Sequence, residues 1–244
     1  LPELPQKKTV RTEVWSAIQN ARAGRFPGIL GRIPNFKGAE RACELLATSP
    51  LFDKAQFIKS NPDSPQRKLR HLALVEGKKL YLAVPKLAHI KPFLEIDPSQ
   101  LHEKELWQAS SIKGSFEYGR PISIEDMPKI DLIITGCVGV TSVGARLGKG
   151  GGYADLEYAL LRQFEKVDEG TPVVTVVHPA QILEDHSFPM LEHDTSIDMY
   201  ATPSEVFRCK RSYARPSGIY KDALEKEKID AIPVLRRYLL GKNL

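Results

Sequence analysis

A chain of 244 residues, 42% apolar and 27% charged, is long enough to bury a substantial core, and none of its apolar runs reaches the roughly 18–20 residues that a bilayer span requires. Its opening stretch "LPELPQKKTV" lacks the apolar centre of a secretory signal, and its three cysteines are odd in number and widely spaced, so a disulfide framework is not expected and a cytoplasmic location is. The net charge of +5 is too mild to mark nucleic-acid binding, and the basic doublets at 7–8, 67–70, 78–79 and 208–211 read either as solvated surface or as parts of an anion site.

In chain order, "KKTVRTEVWSAIQNARAG" places Val10, Val14, Ile18 and Ala21 at helical spacing and stops at Gly24. "RFPGILGRIPNFKG" is too rich in glycine and proline for a regular element and reads as an ordered loop. "AERACELLA" follows as a helix and "AQFIKS" as a short strand; "NPDSP" then turns into a helix over "QRKLRHLALVEG", with Pro65 in its first turn. "KKLYLAVP" is a strand ended by Pro85, "FLEIDP" a further strand, "QLHEKELWQAS" a short helix and "PISIEDMPKI" an extended approach. From Asp131 an apolar strand, a glycine loop, the helix "ADLEYALLRQFEKV" and the strand "TPVVTVVHP" make the pattern of a crossover in a parallel sheet. "SIDMYATPSEVFRC" adds one more strand, and "ALEKEKIDAIPVLRRYLL" is mostly helical. The expected architecture is one α/β domain over residues 1–244, with helices on both faces of a largely parallel sheet.

The segment "GARLGKGGGYAD", residues 144–155, holds five glycines, an arginine and a lysine between strand and helix. Ligands of open α/β sheets sit where strands hand over to helices; glycine lets the backbone approach phosphate oxygens, and a helix N-terminus offers unpaired N–H groups. The loop is neither GxxxxGK[ST] nor a correctly placed GxGxxG, so on physics alone it is either an anion site or a crowded turn. Lys7 and Arg11, one turn apart on one helix face, suit an anion grip or an exposed face equally well. Asp155 can cap its helix, Asp198 can face solvent at a strand end, and His178 and Cys137 read as structural.

"DLIITGCVGVTSVGARLGKGGGYAD", the early Lys7 and Arg11 of "KKTVR", "KLYLAVPKL" and the late "EHDTSIDMYATPSEV" together resemble the 5-formyltetrahydrofolate cyclo-ligase (methenyltetrahydrofolate synthetase) family. "RIPNFKGAERA", "NPDSPQRKLRHLAL" and "GKGGGYADLEYAL" are similar to its divergent branch of methenyltetrahydrofolate synthetase domain-containing proteins. The resemblance implies a three-layer α/β/α fold of the NagB/RpiA/CoA-transferase type, as a monomer or homodimer. It also implies a reaction that uses ATP and Mg²⁺ to close a reduced folate into its methenyl form.

Carried onto this chain, the family's pattern gives nucleotide contacts to Lys7, Arg11, Arg146, Gly148, Lys149, Gly150, Gly151, Gly152 and Tyr153. Tyr153, Lys149 and Arg146 stand at the reacting centre, and Asp155 and Asp198 hold Mg²⁺. Two positions depart: Gly151 stands where the family has a lysine, and Ala154 where it has a second tyrosine. The family's folate-contacting glutamate has no plain counterpart, Asp63 being the nearest acid. A non-catalytic member that binds a nucleotide or phosphate is therefore the alternative. RNA binding through the basic patches, motivated by the RNA modules appended to some relatives of this branch, is the weaker alternative, because no RNP-like segment occurs in this sequence.

Overall fold

The computed structural model describes residues 4–241. Helix α1 (Pro5–Asn20) starts with proline in its first turn, where the missing N–H costs nothing, and buries Lys7, Val10, Arg11, Val14 and Ile18 as one stripe. After the irregular loop come α2 (Ala39–Ala47), a short α3 (Pro50–Lys54) and β1 (Phe57–Ser60). The chain continues through α4 (Arg67–Val75), β2 (Lys79–Ala83), β3 (Phe93–Ile96), α5 (Glu103–Ala109), α6 (Ile112–Tyr118), β4 (Arg120–Ile122) and β5 (Leu132–Ile134). β6 (Gly139–Thr141), β7 (Arg146–Leu147), α7 (Tyr153–Gln163), β8 (Val173–Val176) and β9 (Ile182–Leu183) follow. The last elements are β10 (Met199–Ala201), β11 (Val206–Arg208), α8 (Lys226–Ala231) and α9 (Pro233–Leu240).

The large sheet runs β11-β10-β8-β5-β1-β2-β3-β4. Its centre is parallel, and β3, β4 and β11 turn antiparallel at the edges. Successive strand residues point to opposite faces, and both faces are covered. Ile58, Leu80, Leu82, Leu132, Ile134, Val174 and Met199 pack against the α2 and α4 side. Tyr81, Ile133, Val173 and Tyr200 pack with Leu156, Leu160 and Leu161 of α7 and Leu235 of α9. This is the mixed α/β, mostly parallel fold expected from the alternating elements. Among the described residues, no helix is long and apolar enough to cross a membrane.

The sequence reading misses the short helices α3 and α6, and the structure departs from it in three further places. The strand read at Asp131 does not hand directly to its helix; β6 and β7 intervene as a hairpin, joined by β9 in a small sheet of order β7-β6-β9. Gly144 turns that hairpin at φ +82°, where an added Cβ would lie 2.5 Å from the Ile197 carbonyl oxygen. The single strand expected near residue 200 is the antiparallel pair β10–β11. The C-terminal helix divides into α8 and α9 because Pro233 drives Ile232 to extended backbone, φ −110°, ψ 106°.

Candidate functional site

The stripe that seats α1 also aims its two cations. Val10, Val14 and Ile18 cluster with Leu147 of β7 and with Val138 and Ala145, which directly precede β6 and β7, and this docking holds Lys7 and Arg11 against the chain that leaves β7. Arg11 Nε donates to the Gly148 carbonyl at 2.6 Å. Gly150 at φ +105° and Gly152 at φ +63° bend the loop into left-handed backbone, and Gly152 caps the start of α7. A cavity of about 50 Å³ opens between these parts, with Lys7 and Arg11 on one side, Gly148, Gly150 and Gly152 on another, and Asp155 and Asp194 between. It admits a phosphoryl group or a hydrated cation, whereas a whole drug-sized ligand fills roughly 300 Å³ or more.

Arg146, expected to face the ligand, is instead 3% exposed and does not line this cavity. Its guanidinium donates to the carbonyls of Gly136 and Thr195, both at 3.1 Å, and pairs with Asp155. Three donors are thereby engaged by the protein itself, so Arg146 builds the floor of the site. Burial alone would push the Asp155 carboxyl up; the Arg146 charge, the Thr195 N–H and Lys7 outweigh it and hold the group below its ordinary range. Asp155 is therefore ionised as well as placed in the first turn of α7, where the helix dipole favours an anion.

Asp198 is not part of this arrangement. It lies just before β10 with Oδ2 paired to Arg215 and accepting the Val173 N–H at 2.8 Å, while Oδ1 faces Arg211 Nε at 3.3 Å. Two guanidinium groups already satisfy it, and the expected Asp155–Asp198 pair is not formed. The acid that reaches Asp155's cavity is Asp194, from the same late motif. Its Oδ2 pairs with Lys7 and accepts the Leu191 N–H at 2.7 Å, and its Oδ1 faces His193 Nε2 at 4.0 Å. In the sequence Asp198 stands between the apolar Ile197 and Met199, whereas Asp194 lies in the polar run "EHDTS" and is not singled out; which of them meets Asp155 is set by the fold.

A second polar group, which the sequence reading did not single out, lies at the end of β1. Lys59, in the alternating strand "FIKS", is buried and pairs with Glu157 of α7, which also accepts from Asn61 Nδ2 at 2.7 Å. Beside it, Arg70 donates to the carbonyls of Asn61 and Asp63, at 2.7 and 3.0 Å, and fixes that turn. Asp63 Oδ1 stands 3.8 Å from Lys149 Nζ. Burial raises the Asp63 carboxyl, against the pull of Lys149, Arg70, Lys59 and Arg146. A lysine where the strand pattern calls for an apolar residue was the available signal.

The remaining expectations sort by burial. Lys149 is half-exposed at the loop crest, and Tyr153 packs its ring on the core at the start of α7. Cys137 is buried with its thiol pushed up to about 11 by burial, too high for a nucleophile. His178 accepts the Ala180 N–H on Nδ1 at 3.1 Å as a capping residue. The basic doublets do not form a continuous surface: Lys7, Arg70 and Lys78 are buried, and Arg211 is ion-paired.

A model of the 5-formyltetrahydrofolate cyclo-ligase family matches residues 4–203. The chain belongs to this family. Its cyclo-ligase region contains α1, the glycine loop, Asp63, Asp155 and Asp194, and so the whole arrangement described above. The chain is 35% identical over 234 residues to the methenyltetrahydrofolate synthase domain-containing protein of Homo sapiens, covering 94% of this chain and 60% of that one. It thus spans about three-fifths of the length of that relative. It is 27% identical over 215 residues to the mitochondrial 5-formyltetrahydrofolate cyclo-ligase of Arabidopsis thaliana, covering 82% of this chain and 75% of that one. The NMR structure of Aquifex aeolicus 5,10-methenyltetrahydrofolate synthetase shares the fold, with a TM-score of 0.53 at 18% identity over 90% of this chain and 99% of that one.

Proposed function

We propose that this member of the cyclo-ligase family converts 5-formyltetrahydrofolate to 5,10-methenyltetrahydrofolate with ATP and Mg²⁺. The observation that carries the reading is the convergence of Lys7, Arg11, the glycine-capped start of α7 and two carboxylates on one cavity sized for a phosphoryl group. In the proposed reaction the formyl oxygen takes the γ-phosphoryl group as ADP leaves. N10 then closes on the formyl carbon, losing its proton, as phosphate departs with that oxygen. Such transfers depend mainly on alignment and on neutralising charge.

Lys7, Arg11, Lys149 and the amides of residues 150–153 would hold phosphate oxygens, with Tyr153 at the edge of the reacting centre. Asp155 and Asp194 fit a magnesium ion. Each is oriented through one oxygen, and the other forms no hydrogen bond within the described residues. Magnesium binds through one or two carboxylates, several waters and substrate phosphates rather than a full protein cage. Bound there, the ion would withdraw charge from the phosphates; among the described residues no group of three His, Cys, Asp or Glu side chains offers an alternative. Asp63, its carboxyl raised by burial beside Lys149, is the candidate for a folate hydrogen bond.

The test is growth of the methenyl chromophore from 5-formyltetrahydrofolate, dependent on both ATP and Mg²⁺ and abolished in Asp194→Asn. Folded protein that binds Mg-ATP yet yields no product would overturn catalysis. That outcome would leave the second reading, a phosphate-binding member without turnover, which Gly151 and Ala154 favour.

A further inference from the structure

The family match ends at residue 203, yet the chain beyond it returns to the glycine loop. Ile229, Ile232, Val234 and Leu235 are buried, the last three in the core cluster that holds Leu156 and Leu160 of α7. Ile219 and Leu224 line the opposite wall of Asp155 together with Ala159 and His193. In α8 the flanking Lys226, Glu227 and Asp230 are exposed, but Lys228 turns inward with Ile229. Its ammonium donates to the Gly151 carbonyl at 2.7 Å and lies 4.7 Å from the centre of the Tyr153 ring. An aromatic face attracts such a cation, and an ammonium has three donors, of which the described residues engage one by a hydrogen bond.

We infer that Lys228 is a ligand-contacting cation of the anion site, delivered to the glycine loop by the C-terminal segment and directed at the oxygens of a bound polyphosphate. The inference rests on the nucleotide reading above. The Gly151 carbonyl and the Tyr153 ring hold the ammonium on the glycine loop, whose Gly150 and Gly152 line the cavity together with Lys7 and Arg11 of α1, so a polyphosphate reaching from that cavity over the loop would be gripped from two sides. Burial lowers the ammonium's proton affinity, with Glu225 and Asp155 opposing that effect. A cation already partly stripped of water binds an anion with less further desolvation.

The test measures inorganic triphosphate and Mg-ATP binding calorimetrically in the intact protein and in Lys228→Gln and Lys228→Arg. Glutamine keeps a donor for Gly151 but no charge. Its affinity for triphosphate is expected to fall about tenfold, with a shallower salt dependence and an unchanged thermal midpoint, while arginine stays near wild type. In the wild-type chain, triphosphate is also expected to protect Lys228 from amine modification mapped by mass spectrometry, a readout that needs no variant to fold. Wild-type affinity in Lys228→Gln, or absence of protection while triphosphate is bound, overturns this inference and leaves the nucleotide reading standing. Failure of the wild-type protein to bind either ligand overturns both. Lys228-dependent binding without turnover sustains the inference and removes the cyclo-ligase proposal.

Discussion

Arg146 and Lys149 stand three residues apart in one loop, and each faces a carboxylate, but they do different work. Arg146 is sealed beneath the loop, its guanidinium divided among Asp155 and two carbonyls. Lys149 sits at the crest with half its side chain in water and Asp63 at 3.8 Å. A buried ion pair with its remaining donors satisfied holds backbone in place, whereas an exposed cation with one loose partner can move to meet a ligand. Burial thus separates the two cations: Arg146 is a foundation of the loop, and Lys149 is the one proposed to meet a ligand.

The largest effect expected from breaking this contrast is on stability. Arg146→Ala leaves Asp155 buried without its partner, and the loss is expected to be about 3–5 kcal/mol in urea denaturation. The same pair makes stability depend on acid. Because Asp155 holds its proton less tightly when folded than when unfolded, its contribution is complete above the ordinary carboxylate value of about 3.9 and is lost as pH falls through the lower folded value. Denaturant midpoints followed downward from pH 6 are expected to drop more steeply in the wild type than in Asp155→Asn, and parallel curves would deny the pair this role.

Next come effects on binding. Asp194→Asn is expected to weaken Mg-ATP about tenfold or more, while Asp198→Asn leaves Mg-ATP affinity unchanged and lowers stability by about 1–2 kcal/mol through Arg215 and Arg211. Magnesium titrations of the two variants decide which acid belongs to the site. Smallest in stability is Lys149→Ala, expected to change folding by less than about 1 kcal/mol because the pair is screened by water, but to reduce triphosphate affinity several-fold. A large loss of stability in that variant would erase the distinction between the two cations.

Read alone, the sequence determined the alternation of strands and helices, the glycine-rich start of α7 and the family. Those properties are written in local periods of 2 and 3.6 and in contiguous motifs. Tertiary structure decided which charged residues meet. Lys7 finds Asp194 across 187 positions, Arg11 reaches Gly148 across 137, and Lys228 returns to Gly151 across 77. It also brought Asp194, and not Asp198, to the cavity beside Asp155, and gave Arg146 a buried post. Partners so distant leave no periodic trace, and a charge's burial depends on what the rest of the chain packs over it; both are properties of the assembled core and neither belongs to the segment that carries the residue.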